Sequence, residues 1–107
     1  MKIHISPDVI RLIVRKTAME VEGVTRVIAK APWSFGLKSA IGLKMEGEKI
    51  DLTLHLALRY GVDIMAVCRE VQRVVKRAVE NLVGIEVSSV DIIVEDIDMV
   101  QDEKAKS

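Results

Sequence analysis

A chain of 107 residues is the size of one ordinary domain, and with half of them apolar but only Trp33, Phe35 and Tyr60 aromatic, its core must be aliphatic. Sixteen basic and sixteen acidic residues cancel, which excludes a field of one sign steering the whole molecule toward nucleic acid or anionic lipid, while weak self-repulsion permits self-association. Cys68 is the only cysteine, so an intrachain disulfide and a thiolate metal cluster within one chain are excluded and a reducing compartment fits.

The opening MKIHISPDVI lacks the pattern of a signal peptide, because His4, Pro7 and Asp8 break its short apolar stretch. No apolar run in the chain reaches membrane-spanning length. Residues 2–5 predict a short strand. Ser6-Pro7-Asp8 predicts a helix start, with Ser6 as cap, Pro7 where no amide donor is missed and Asp8 complementing the dipole. That helix is expected to run to about Glu22, with Val9, Ile10, Ile13, Val14, Thr17, Ala18 and Val21 on one face, and Gly23 ending it.

Residues 24–29 are β-branched enough for a strand, and residues 30–40, with Pro32, Gly36 and two aromatics, predict a loop. Ile41, Leu43 and Met45 alternate with Gly42, Lys44 and Glu46, after which Gly47-Glu48 offers a two-residue hairpin turn. The partner strand alternates Ile50, Leu52, Leu54, Leu56 and Leu58 with Asp51, Thr53, His55 and Ala57. In that register Glu46 faces Lys49 and Lys44 faces Asp51, so opposite charges meet across the strands. Asp63 is the expected cap of a second helix whose buried stripe is Ile64, Val67, Cys68, Val71, Val74, Val75, Ala78 and Leu82, with Gly84 at its end. Residues 85–97 return as a strand.

The order β-α-β-β-β-α-β predicts an α+β fold: a two-layer sandwich in which a mixed β-sheet carries two long helices on one face. Residues 1–97 form the single expected domain, and residues 98–107 a short charged tail whose composition predicts disorder. Strand order stays open, a ferredoxin-like arrangement being one special case.

No residue pattern supplies a catalytic device. There is no Gly-x-Ser-x-Gly turn and no Gly-rich phosphate loop, and Glu20 and Glu22 point to different faces of their helix. Cys68 lies on an apolar stripe and reads as a small buried hydrophobe. His55, beside Asp51 and Thr53, has no second His or Cys at ligand spacing, so neither a metal nor any other cofactor is expected. The glycine junctions at Gly23 and Gly84 read as corners between helix and strand.

Two features point to partners. Arg69, Arg73 and Arg77 recur every four residues with Lys76 alongside, a basic stripe suited to an acidic protein surface or to nucleic acid, or simply to solvent. Nucleic acid is disfavoured by the neutral total charge, the lack of aromatics on that face and the lack of a Gly-x-x-Gly clamp. The loop containing Trp33 and Phe35 is either a lid on the sheet edge or an exposed docking finger.

The runs IHISPDVIRLIVRKTAMEVEGVTRV and LALRYGVDIMAVCREVQRVVKRAVENLVGIEVSSVDIIVEDI resemble the bacterial alkaline shock, or envelope stress response, protein family. The resemblance covers nearly all of residues 3–97 and departs at the loop with Trp33 and Phe35 and in the short mixed tail. It implies a non-enzymatic, cytoplasmic bacterial protein, held in some members near the membrane by a separate anchor protein, with no catalytic residues to carry over. The expectation is an interaction or scaffold protein of envelope or general stress physiology, acting by self-association and protein docking. Its partner would be a protein, which includes a membrane-anchored one, and homo-oligomers are expected. The alternative is a small nucleic-acid-binding module using the basic stripe, with a small enzyme third.

Overall fold

The computed structural model describes residues 1–29 and 41–99. Helix α1 (Pro7–Met19) begins where the sequence places it: Ser6 is extended and its hydroxyl accepts from the Asp8 amide at 3.2 Å. The helix buries Ile10, Val14 and Ala18, one residue per turn on a single line. It stops at Met19, earlier than Glu22, as the Glu20 amide tightens onto Thr17 O at 3.2 Å. Gly23 is therefore not its cap. With φ of +100° it makes the turn into strand β1 (Val24–Val27), and it lets the chain lie directly against the second helix.

Strands β2 (Ile41–Glu46) and β3 (Lys49–Arg59) form the expected hairpin around Gly47, whose φ is +61°. Their register pairs Lys44 with Asp51 and Glu46 with Lys49, as the alternation requires. The ammonium groups nevertheless close on other carboxylates, Lys44 on Glu46 at 3.4 Å and Lys49 on Glu86 at 4.0 Å, because long exposed side chains choose among several acids at little cost.

Helix α2 (Ile64–Val83) is capped by Asp63, which accepts from the Ala66 amide at 3.1 Å, and it ends at Gly84, left-handed at φ +74°, whose amide reaches Glu80 O at 2.9 Å. Val71, Val75 and Val79 are its fully buried residues. The expected stripe and this line differ at the helix ends and at Val79. Ile64 and Leu82 are exposed because they sit on the end turns, beyond the reach of the sheet, and Val79 takes a core place.

Strand β4 (Glu86–Asp98) runs parallel to β3 along its whole length, from Lys49↔Glu86 to Arg59↔Asp98, with two irregularities, between Ile50/Asp51 and between Leu56/Ala57. The crossover through α2 allows this parallel pairing. The other edge of β3 is shared end to end, β2 pairing with Lys49–Leu54 and β1 with Leu56–Leu58. β3 is thus the hub of a mixed four-stranded sheet.

Both edges of the hub are occupied, and residues 1–6 form no strand, so the observed order is α-β-β-β-α-β. The expected strand at residues 2–5 does not form: both sides of the hub are taken, and these residues do not pair with the outer strands. Ile3, His4 and Ile5 instead line a shallow cavity with Ile10, Met45, Val83 and Ile85. At the other end, β4 reaches Asp98, one residue past the expected domain limit; residues 100–107 lie outside the described residues.

One face of the sheet meets both helices. Ile50, Leu52, Leu54, Leu56 and Leu58 from β3 join Ile41, Val87 and the helix residues in a single aliphatic core. Among the described residues no buried side chain is polar or charged. The opposite face of the sheet carries Thr53, His55, Asp91 and Ile93 and is not covered by either helix.

Candidate interaction surface

The basic stripe exists, but its members differ in what they touch. Arg73 forks onto Glu70 through Nε and Nη2 at 2.9 and 2.8 Å, which holds the Glu70 carboxyl below its ordinary range and raises the Arg73 guanidinium. Lys76 Nζ donates to Val87 O at 2.7 Å and pairs with Glu80 at 3.1 Å. Arg69 and Arg77 make no ion pair among the described residues.

Lys76 belongs to a second, structural stripe. Gln72 Nε2 donates to Val90 O at 2.9 Å, and Glu80 Oε2 accepts from the Val87 amide at 2.9 Å. The Val87 amide is the main reason, with Lys76 second, that the Glu80 carboxyl lies below its ordinary range. Gln72, Lys76 and Glu80, each one turn apart, cap the outward-facing backbone of β4 over its first half. An edge strand is open to pairing with any other chain unless covered, and here α2 does the covering. Spacing of i, i+4, i+8 carried the signal; what could not be read was that the polar line faces a strand edge.

On the uncovered sheet face, Arg26 from β1 reaches over the hub to β4: Nη2 lies 2.7 Å from Asp98 Oδ1 and 2.9 Å from Asp96 Oδ2, and Nε 2.9 Å from Asp98 Oδ2. Ala57 lies between them in register and is fully buried, so its small side chain is what lets the guanidinium cross. The Thr25 hydroxyl donates to Asp98 Oδ2 at 2.6 Å and lies 3.0 Å from Ala57 O. Arg26 first, then Thr25, depress the Asp98 carboxyl to about 2. A depressed folded pKa contributes stability that is present above the ordinary carboxylate pKa and is lost as pH falls toward 2. Arg26→Met is expected to move the Asp98 titration, followed by side-chain carboxyl NMR, up toward the ordinary range. A midpoint that stays near 2 would contradict this assignment.

Farther along that face His55 Nδ1 sits 2.7 Å from Glu95 Oε2, and Ser89 donates to Asp51 Oδ1 at 2.8 Å. Cys68 is half-buried with its thiol raised by burial, which disfavours the reactive thiolate. Among the described residues no group of three or more His, Cys, Asp or Glu side chains is placed to hold a metal ion.

Exposed large apolar side chains lie at both ends of the molecule: Ile3, Met45 and Leu82 near the hairpin and the last turn of α2, and a second group where β3 and β4 end. Tyr60 follows β3 and is 65% exposed, Ile64 and Met65 open α2 at 42% and 59%, and Met99 follows β4 at 72%. The Tyr60 amide donates to Asp98 O at 2.9 Å, which brings the ends of β3 and β4 together. Sequence reasoning missed this group, since Tyr60 stands out there only as one of three aromatics and the helix periodicity places Ile64 in the core. Trp33 and Phe35 lie outside the described residues.

A small helix pair over a mixed sheet, its polar side chains largely engaged with one another, is an α+β module, and solved structures share that fold. The copper form of MamM CTD superposes with a TM-score of 0.57 at 14% identity, covering 90% of this chain and 91% of that one. The zinc form of a MamM CTD variant gives 0.56 at 16% identity, covering 90% of each. The sequence is more specific. Residues 1–99 match the model of the alkaline shock protein 23 family, described as having a cell envelope-related function, and the chain belongs to that family. It is 32% identical over 76 residues to the uncharacterized protein YloU of Bacillus subtilis (strain 168). That match covers 71% of this chain and 60% of YloU. No helix among the described residues is long and apolar enough to cross a membrane.

Proposed function

We propose that this chain is a non-enzymatic docking and scaffold protein of the bacterial cell envelope or general stress response, acting through self-association and protein docking. The observation that carries the reading is the exposure of Tyr60, Ile64, Met65 and Met99, large apolar side chains that follow β3, open α2 and follow β4. Such patches mark interaction sites on soluble domains, and aromatic and methionine side chains are the residue types that interfaces favour. Membership of a family with a cell envelope-related function supports the setting. The partner is a protein, including a membrane-anchored one, met in the cytoplasm; Arg69 and Arg77 are proposed as further contacts, and Trp33 and Phe35 on residue type alone.

The reading is tested by affinity isolation from the native cell with membranes retained, comparing wild type with Tyr60→Ser combined with Met65→Ser. Both side chains are exposed, so the double variant is expected to fold as wild type and to lose its specific co-isolated proteins. Undiminished co-isolation would overturn the reading.

The nucleic-acid alternative is weakened by geometry, because Arg73 and Lys76 already hold Glu70, Glu80 and Val87 O. Binding to duplex DNA or single-stranded RNA at physiological salt is expected to be no tighter than about micromolar, the range of non-specific contact. A nanomolar, salt-sensitive complex abolished by Arg73→Glu would establish the alternative.

A further inference from the structure

The edge of β4 is closed over one half and open over the other. Val87 sends its amide to Glu80 and its carbonyl to Lys76, and the Val90 carbonyl goes to Gln72. Strand alternation turns the backbone groups of Ile92 and Val94 to the same outer side, and there they find no partner among the described residues. The helix stripe changes character at the same point. One turn and two turns before Gln72 stand Cys68 and Ile64, with Met65 alongside, in place of amide, ammonium and carboxylate. Beside the open half of the edge α2 therefore offers apolar surface, of which Ile64 and Met65 are exposed.

The open half of the strand is acidic in sequence, but Arg26 holds Asp96 and Asp98 and His55 lies against Glu95, which leaves Asp91 as the acid facing no cation among the described residues. Residues 91–98 carry Asp91, Glu95, Asp96 and Asp98 and no basic residue. Asp91 is exposed on the uncovered face, where the register places it opposite Thr53, not opposite a cation. A second copy pairing antiparallel through this edge would set acid against acid, which is destabilising across strands.

We infer that the open half of β4, around Ile92 and Val94, accepts an extended basic segment of a partner protein as an added strand. The segment's backbone bonds the outward groups of Ile92 and Val94, which is the usual source of affinity in strand addition. Its apolar side chains pack toward Ile64 and Met65, and a basic side chain meets Asp91. The inference rests on the docking reading above and specifies the form and charge of what docks.

The probe is a capped ten-residue peptide alternating lysine and valine, with a glutamate–valine peptide as its counterpart. Amide hydrogen exchange and NMR shifts are followed in the whole chain. The expected result is slowed exchange at the Ile92 and Val94 amides with the lysine peptide, and binding weaker by about tenfold or more with the glutamate peptide, a loss of about 1.4 kcal/mol. Asp91→Lys should narrow or reverse that preference. Val94→Pro should abolish binding, since proline removes an outward donor and is tolerated on edge strands; should that variant not fold, Asp91→Lys still decides.

Protection of the same amides that grows with protein concentration alone would mean pairing between copies and overturn the inference. So would peptide binding that leaves Ile92 and Val94 unprotected, or no binding of either peptide. In those cases loss of co-isolated proteins on changing Tyr60 and Met65 would still sustain the docking reading, so the two failures are distinguishable.

Discussion

Gly23→Val is expected to be the most damaging single change in the chain outside the core. Gly23 has φ of +100°, a region in which a β-branched residue is a genuine outlier, and holding a non-glycine residue in such a conformation costs about 1–3 kcal/mol. A side chain there also has nowhere to go. Its Cβ would stand 3.0 Å from Val67 Cγ2 and 3.3 Å from Val62 Cγ1, and overpacking of this kind costs about 1–3 kcal/mol more. The sum, about 2–6 kcal/mol, is a large share of the stability of an ordinary domain. Gly84 provides the control. It is also left-handed, at φ +74°, but nothing lies within 4 Å of its missing Cβ, so Gly84→Ala should cost only about 1 kcal/mol. Urea unfolding of the two variants measures the difference directly. Equal losses would mean that contact with Val67 contributes nothing.

Leu54→Ala should cost about 2–5 kcal/mol, the range for removing a fully buried leucine. Leu54 stands in the middle of the hub strand, opposite Ile41 on β2 and Ile92 on β4, and it is wholly shielded from solvent. Its neighbours belong to three strands, so no single element can shift to fill the space. Leu82→Ala removes the same atoms from a residue whose periodicity places it in the core but which stands on the last turn of α2, largely exposed. It is expected to change stability by no more than about 0.5 kcal/mol, as exposed sites usually do. Thermal or urea unfolding that ranked the two equally would contradict the assignment of the core.

The contrast between these leucines shows what could be read in advance. The alternation from Ile50 to Leu58 fixes which face of β3 is buried and, with Gly47, the register of the hairpin. Ser6, Pro7, Asp63 and Gly84 mark helix ends by chemistry that acts within a few residues. What periodicity leaves out is long-range. It does not say that β1 and β2 would share one edge of β3, or that residues 1–6 would stay out of the sheet. Nor does it show that Ala57 is small because Arg26 crosses it to reach Asp96 and Asp98.

The partner surface was legible only in part for the same reason. Arg69, Arg73, Lys76 and Arg77 are conspicuous as a basic stripe, yet two of them are drawn into local pairs that only the folded neighbours reveal. Tyr60, Ile64, Met65 and Met99 come from three separate elements and become a cluster only when β3 and β4 end side by side.

The central claim, that the protein works by docking through this end, is tested most directly by site-specific photo-crosslinking in the native cell. A photoreactive residue is placed at Met65, within the cluster, and in parallel at Glu48, on the hairpin at the opposite end of β3. Discrete covalent adducts from position 65 and none from position 48 are the predicted result. Absence of adducts at position 65, or the same adducts from both positions, would contradict it.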